Sequence, residues 1–299
     1  MNEPCGVLTV DKPTDMTSHD AVNIVRKLYN TKKVGHTGTL DPDATGVLVI
    51  LIGRAAKACE YVTADNKEYK AGLKLGITTD TADIGGKITA ENDNIPNRET
   101  VEKAIASFVG KGKQTPPMYS ALKVDGKKLV NLARKGITVE RQERDIEIFS
   151  IKTEYLTNSD YQIELSCTKG TYVRTLCEDI GKKLGCGGCM SSLRRLRSGK
   201  FTLENSYTIE ELKEKSEEEL RKILLPIQAL FSDLPKVELN DFFASLCHSG
   251  QRIYQKKIGT HFAPGERVAF YDKNGFFALG EAQQYENEPV IKPIKQFVV

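Results

Sequence analysis

The chain has 299 residues, 39% hydrophobic and 28% charged, enough for one large domain or a large domain plus a small one. That balance excludes a disordered chain, and the longest apolar run, residues 47–52, is far too short to cross a bilayer. The formal net charge of +3 says little about partners, so the placement of charge along the chain matters more than its total. The start, MNEPCGVLTVDKP, lacks the basic residues and apolar run of a signal peptide, which leads us to expect a cytoplasmic protein. Seven cysteines, an odd number and scattered, make no disulfide framework and suit a reducing compartment. Cys186-Gly-Gly-Cys189 has the spacing of half a zinc site, but no second pair lies nearby, so we expect no metal.

In chain order, residues 6–10 predict a short buried strand. Ser18 is then expected to cap a helix, HDAVNIVRKLYN, with Val22, Val25 and Leu28 on one face. A glycine-rich loop and the apolar segment VLVILIGRAAKACEYV follow. KEYKAGLKL, residues 67–75, alternates like a strand, and residues 98–110 carry a helical stripe through Val101, Ile105 and Phe108. Residues 149–156 and 161–167 read as paired strands around a turn at 157–160. A helix is expected over about 174–184, and another over 208–224, opened by the capping box Thr208-x-x-Glu211. Around residue 235 the chain changes character. One short helix pattern (241–247) and three strand patterns, ERVAFYD, FFALGEAQQY and PVIKPIKQFV, suggest a small β-rich unit. Mostly hairpin-type strand connections predict an α+β fold, not a doubly wound parallel sheet.

Charge is unevenly placed. Residues 111–145 hold nine Lys/Arg against four Asp/Glu, and residues 181–200 hold six Lys/Arg and no acid. The first stretch mixes lysines with glycine, two prolines and the apolar MYSAL. Such an insertion can wrap a polyanion and order on it.

The loop GHTGTLDPDATGVL, residues 35–48, carries two carboxylates, Asp41 and Asp43. As a calcium loop it would need a bidentate acid at position 12, where Ile52 stands, so that reading fails. As a D-x-D-x-T phosphatase motif it would have to follow an apolar strand, and it follows GHTGT instead. The third reading is a carboxylate acting on a nucleotide, which calls for a loop allowing close approach, a cation to hold the anion and an aromatic to stack the base. Tyr69 offers the aromatic. Tyr172 and Arg174, two apart, are expected on one side of a strand.

GHTGTLDPDATGVL resembles the catalytic motif of the TruB family of bacterial tRNA pseudouridine synthases, which isomerise uridine 55 in the T loop of tRNA. GVLTVDKPTDMTSHDAV, KEYKAGLKLGITTDTADIGG, PPMYSALKVDGKKLVNLARKG, CTKGTYVRTLCEDIGKKLGCGG and SSLRRLRSG match that family in the same order. The resemblance implies a pseudouridine synthase domain over residues 1–234, an α+β fold with a mixed, mainly antiparallel central sheet and an RNA-clamping thumb at about 111–145, and a small β-rich, PUA-like RNA-binding domain over 235–299. It implies that Asp41 is the catalytic carboxylate, that Tyr69 stacks on the uracil and that Arg174 pairs with Asp41. Tyr172 and Leu193 would line the base pocket, and His36 would pack against RNA. Lys12 and Pro13 would support the loop, and Arg194, Arg195 and Arg197 would meet phosphates. Asp43 is left as a turn residue bonding nearby backbone N–H groups.

The implied partner is the T arm of tRNA, with no cofactor, no membrane and no obligate protein partner, and the protein is expected to be a monomer. Guide-RNA-dependent synthases share the Asp loop but lack the long thumb. An RNA chaperone is the reading from another class.

Overall fold

KEYKAGLKL alternates because one face of its strand lies on a core: Tyr69, Ala71, Leu73 and Leu75 are buried, while Glu68, Lys70 and Lys74 point away. In the computed structural model, which describes residues 3–62, 66–124 and 126–297, this strand lies near the centre of a ten-stranded sheet. Asp125 and Val298, which fall in the expected thumb and last strand, lie outside the described residues.

The elements of the larger unit are β1 (Gly6–Lys12), α1 (Ser18–Leu28), β2 (Val34–His36), β3 (Thr45–Ile52), β4 (Lys67–Leu75), α2 (Arg98–Ala106) and β5 (Gly110–Gln114). There follow β6 (Arg144–Tyr155), β7 (Asp160–Cys167), α3 (Val173–Leu184), β8 (Gly188–Ser198), β9 (Tyr207–Thr208), α4 (Ile209–Glu214) and α5 (Glu217–Lys222). The strand order is β9-β1-β3-β8-β4-β7-β6-β5, with β2 and the short strand Phe201–Thr202 attached at the sides. Among the described residues of this sheet only the β1–β9 and β3–β8 pairs are parallel. The sheet is therefore mixed and mainly antiparallel, as the family resemblance implies.

β3 is apolar on both faces because both are covered. Leu48, Ile50 and Ile52 pack with Leu8, Val10, Val22 and Val25 on the α1 side. Val47, Val49 and Leu51 pack with Phe201, Leu279 and Phe297 on the other. Leu279 and Phe297 come from the C-terminal unit, which covers the sheet's second face. That unit holds β10 (Lys236–Glu238), α6 (Asp241–His248), β11 (Ile253–Tyr254), β12 (Arg267–Asp272), β13 (Gly275–Tyr285) and β14 (Glu288–Gln296), ordered β10-β12-β13-β14-β11. Among the described residues no helix is long and apolar enough to cross a membrane.

Several local expectations need correction. The N-cap of α1 is Thr17, whose side chain accepts from the Asp20 N–H while Asp20 reaches back, a capping box one residue earlier than expected. The single helix expected over 208–224 is two, because Ser216-x-x-Glu219 forms a second capping box and Lys215 is extended. α2 stops at Ala106, with Phe108 packed beyond its end. Tyr172 and Arg174 do not share a strand. Tyr172 is the N-cap of α3 and Arg174 lies in its first turn.

Candidate active site

The Asp41 loop spans the gap between β2 and β3, and three side chains from other elements hold it. Ser18 donates to the Leu40 carbonyl (3.0 Å) and accepts from the Leu40 N–H (2.8 Å). Lys12, fully buried, donates to the carbonyls of Pro13, Met16 and Pro42. Asp41 sits between these two grips. Burial lowers the Lys12 ammonium to about 8, against the pull of Asp43 and Asp41. Arg195 supplies the third grip. Its guanidinium bonds the carbonyls of Val47 (2.6 Å), Gly38 (3.1 Å) and Thr39 (3.4 Å).

Arg195 is only 2% exposed. It is therefore a scaffold of the loop, not a surface arginine awaiting phosphate. Arg194 keeps more of its surface and pairs with Asp11 (2.7 Å), and Arg197 pairs with Glu68 (2.6 Å). Asp43 is exposed and makes no side-chain hydrogen bond among the described residues. The turn is closed by the Ala44 N–H on the Asp41 carbonyl (3.1 Å), which corrects the role expected of Asp43.

Of the glycines in this motif only Gly46 is left-handed, with φ +104°. β3 meets β8 there, and a Cβ would run into the Arg195 carbonyl and amide nitrogen. Gly46→Ala should destabilise the protein by about 2 kcal/mol or more, from the unfavourable φ and the displaced strand together. A thermal melt checks this; an unchanged midpoint would show that the loop needs no glycine.

The loop presents Asp41 to a cleft of about 330 Å³ lined also by Tyr69, Tyr172, Arg174, Leu193 and residues 120–122. Arg174, 6% exposed, places Nε 3.0 Å from the Asp41 carboxylate, which keeps 42% of its side chain open to the cleft. The other guanidinium nitrogens donate to the carbonyls of Thr81 (3.2 Å) and Tyr119 (2.7 Å), and Asp83 lies 3.6 Å away. Burial raises the Asp41 carboxyl above its ordinary range. Arg174 opposes that shift, while Asp83 and Asp43 add to it.

Tyr69 on β4 stands across from Arg195 on β8, and burial raises its phenol despite that cation. Burial likewise raises Tyr172. His36 ends β2. Burial, then Arg195, lowers its pKa, against a hydrogen bond with the Gly38 backbone.

The cleft thus gathers Asp41, Tyr69, Tyr172, Arg174 and Leu193, with Lys12 and Arg195 beneath the loop. Sequence reasoning missed Ser18's grip on Leu40, Asp83, and Gln114, which bonds the backbone of Tyr172. Asp83 had a signal, since TTDTADIGG is acid-bearing and turn-rich. The other two are ordinary polar residues until folding buries them.

This fold is that of the pseudouridine synthases. A chain in a Cbf5–Nop10–Gar1 complex matches this one with a TM-score of 0.75 and 28% identity, over 98% of this chain and 85% of that one. A chain in an H/ACA RNP bound to a substrate RNA containing 2'-deoxyuridine matches with a TM-score of 0.74 and 25% identity, over 98% of this chain and 85% of that one. The chain belongs to the TruB family: residues 26–173 match the TruB family pseudouridylate synthase N-terminal domain. Residues 174–232 match the tRNA pseudouridylate synthase B C-terminal domain. It is 42% identical to tRNA pseudouridine synthase B of Alkaliphilus oremlandii over 293 residues, 97% of each chain. It is 43% identical to that of Bacillus pumilus over 298 residues, 97% of this chain and 96% of the relative. The C-terminal β unit is PUA-like, as the family resemblance implied.

Proposed function

We propose that this protein is an isomerase that converts uridine to pseudouridine in tRNA, at position 55 of the T loop, with Asp41 as the catalytic carboxylate. The observation that carries the reading is the meeting of Asp41, Arg174 and two tyrosines around one cleft, brought from three separate stretches of chain. In the reaction the N1–C1′ bond breaks, the uracil turns and C5 joins C1′. C5 loses a proton and N1 gains one, so nothing is oxidised and no group enters from outside. The target must leave the loop's stack to enter the cleft, at a cost of about a few kcal/mol. Tyr69 offers a stacking face, and Tyr172 and Leu193 close the sides. An anionic Asp41 serves either attack on the sugar or base or removal of a ribose proton, and both need the charge that Arg174 supports.

Residues 1–234 act as the catalytic domain, with 111–145 as a thumb over the T loop, and residues 235–299 as an RNA-binding domain. The protein works in the cytoplasm as a monomer, without an obligate protein partner. Elsewhere lysines pair with acids, as Lys103 does with Glu99 and Lys182 with Glu178. In the thumb Lys111, Lys113, Lys123, Lys127, Lys128, Arg134 and Lys135 are all exposed and make no ion pair among the described residues. That is the charge placement a polyanion needs.

Purified protein given an unmodified tRNA transcript, with pseudouridine mapped by position, tests the reading. Product at uridine 55 without added protein or guide RNA supports it, and product elsewhere alone overturns the assignment of position. Binding should weaken steeply with salt. Each thumb lysine that meets a phosphate should, when changed to alanine, flatten the log–log salt slope by about 0.7–0.9. A flat salt response in the parent would remove the thumb from the interface.

A further inference from the structure

β5 reads Gly-Lys-Gly-Lys-Gln at the sheet's edge. Lys111, Gly112 and Lys113 are exposed, as suits an edge strand, but Gln114 is only 4% exposed. A buried glutamine is costly unless both ends of its amide are satisfied. Both are, by one residue. The side-chain oxygen accepts from the Tyr172 N–H at 2.7 Å, and the side-chain nitrogen donates to the Tyr172 carbonyl at 3.0 Å. The pair of bonds copies a β-ladder link onto the N-cap of α3, where Tyr172 has no side-chain cap of its own.

Five residues on, the Tyr119 carbonyl accepts from Arg174 at 2.7 Å. The segment 114–119 is thus pinned at both ends to the start of α3, at Tyr172 and at Arg174. Both pinned residues line the cleft, and one of them holds Asp41. Beyond residue 119 the chain runs out into the exposed, basic thumb.

We infer that Gln114 is a positioning residue, which fixes Tyr172 and Arg174 against Asp41 and ties the root of the thumb to the catalytic carboxylate. The inference rests on the function proposed above. An RNA held by the thumb then bears on a root whose two ends grip the residues that face the target. Gln114 touches neither Asp41 nor the cleft and acts only through Tyr172.

Gln114→Glu and Gln114→Leu in the full-length protein test it. Glutamate keeps the size and the acceptor but cannot donate to the Tyr172 carbonyl when ionised; leucine removes both bonds. Single-turnover pseudouridine formation on a tRNA transcript should fall about tenfold or more in both, since small misplacement at a reacting centre is costly. Transcript affinity should stay within about threefold, because the thumb lysines are intact.

The acid limb of the pH–rate profile should also move to higher pH. Asp41 is faced by Arg174 from α3, by Tyr172 at its N-cap, by Tyr69 from β4, by Asp83 from the segment after β4, by Asp43 from its own loop and by Lys12 from β1. Loosening Arg174 alone shifts that balance toward the protonated acid. If leucine prevents folding, the isosteric glutamate variant carries the test. A folded glutamate variant with parental rate and parental acid limb overturns the inference, as does a loss confined to affinity. A parent that forms no pseudouridine overturns the proposed function itself.

Discussion

Asp41→Asn should lower the single-turnover rate of pseudouridine formation by about a thousandfold or more, within the range that a lost acid–base or nucleophilic group commands. The variant should fold. Asparagine matches the shape of aspartate, and the Leu40 and Pro42 backbone groups beside it are held by Ser18 and Lys12, which the change leaves alone. Arg174 would lose a charge partner but keep the Thr81 and Tyr119 carbonyls and Asp83. Transcript affinity should change less than threefold, because the exposed cations lie elsewhere. Product mapping beside a binding isotherm checks both halves. Undiminished product from the variant would sink the catalytic assignment, whereas a variant that still speeds tRNA refolding would show an RNA-folding role separable from chemistry.

Much of this site is legible in the sequence because its residues sit in strong local patterns. The alternation of KEYKAGLKL puts Tyr69 on the buried face before any contact is known. The turn-rich 35–48 loop stands out because it breaks every period around it. What stays hidden depends on residues far apart in sequence. Arg195 is adjacent to Arg194 and looks identical to it, yet strand geometry sends one to surface Asp11 and the other under the loop. Ser18 reads as a helix cap, and Thr17 takes that role only because the chain turns one residue earlier. The continuous apolar run of β3 announces burial on both faces without saying that Leu279 and Phe297 supply the second cover. β5 goes unseen because glycine and lysine suit an edge strand and a loop equally well.

The second large effect belongs to Arg174. Changing it to methionine removes the only cation within ion-pair distance of Asp41 among the described residues, while Asp83 and Asp43 remain. Burial already raises the Asp41 carboxyl and Arg174 is the chief force against it, so its loss must push the proton affinity higher. The sign follows directly. The working form is the anion, the rate falls as pH falls through the Asp41 pKa, and that fall must begin at a higher pH in the variant. At neutral pH the rate should drop about a hundredfold or more, part from protonation and part from lost orientation. The Thr81 and Tyr119 carbonyls also lose their donors, at about 1–3 kcal/mol for each group left buried and unpaired. Arg174→Lys separates charge from shape. A lysine keeps the positive charge but cannot meet Asp41 and both carbonyls at once, because those bonds use different nitrogens of a planar fork. Its acid limb should fall between parent and methionine variant, with a rate still well below the parent. A full pH–rate series under single-turnover conditions, with a thermal melt of each variant, makes the measurement. If the acid limb stays fixed in both folded variants, Arg174 does not set the charge on Asp41.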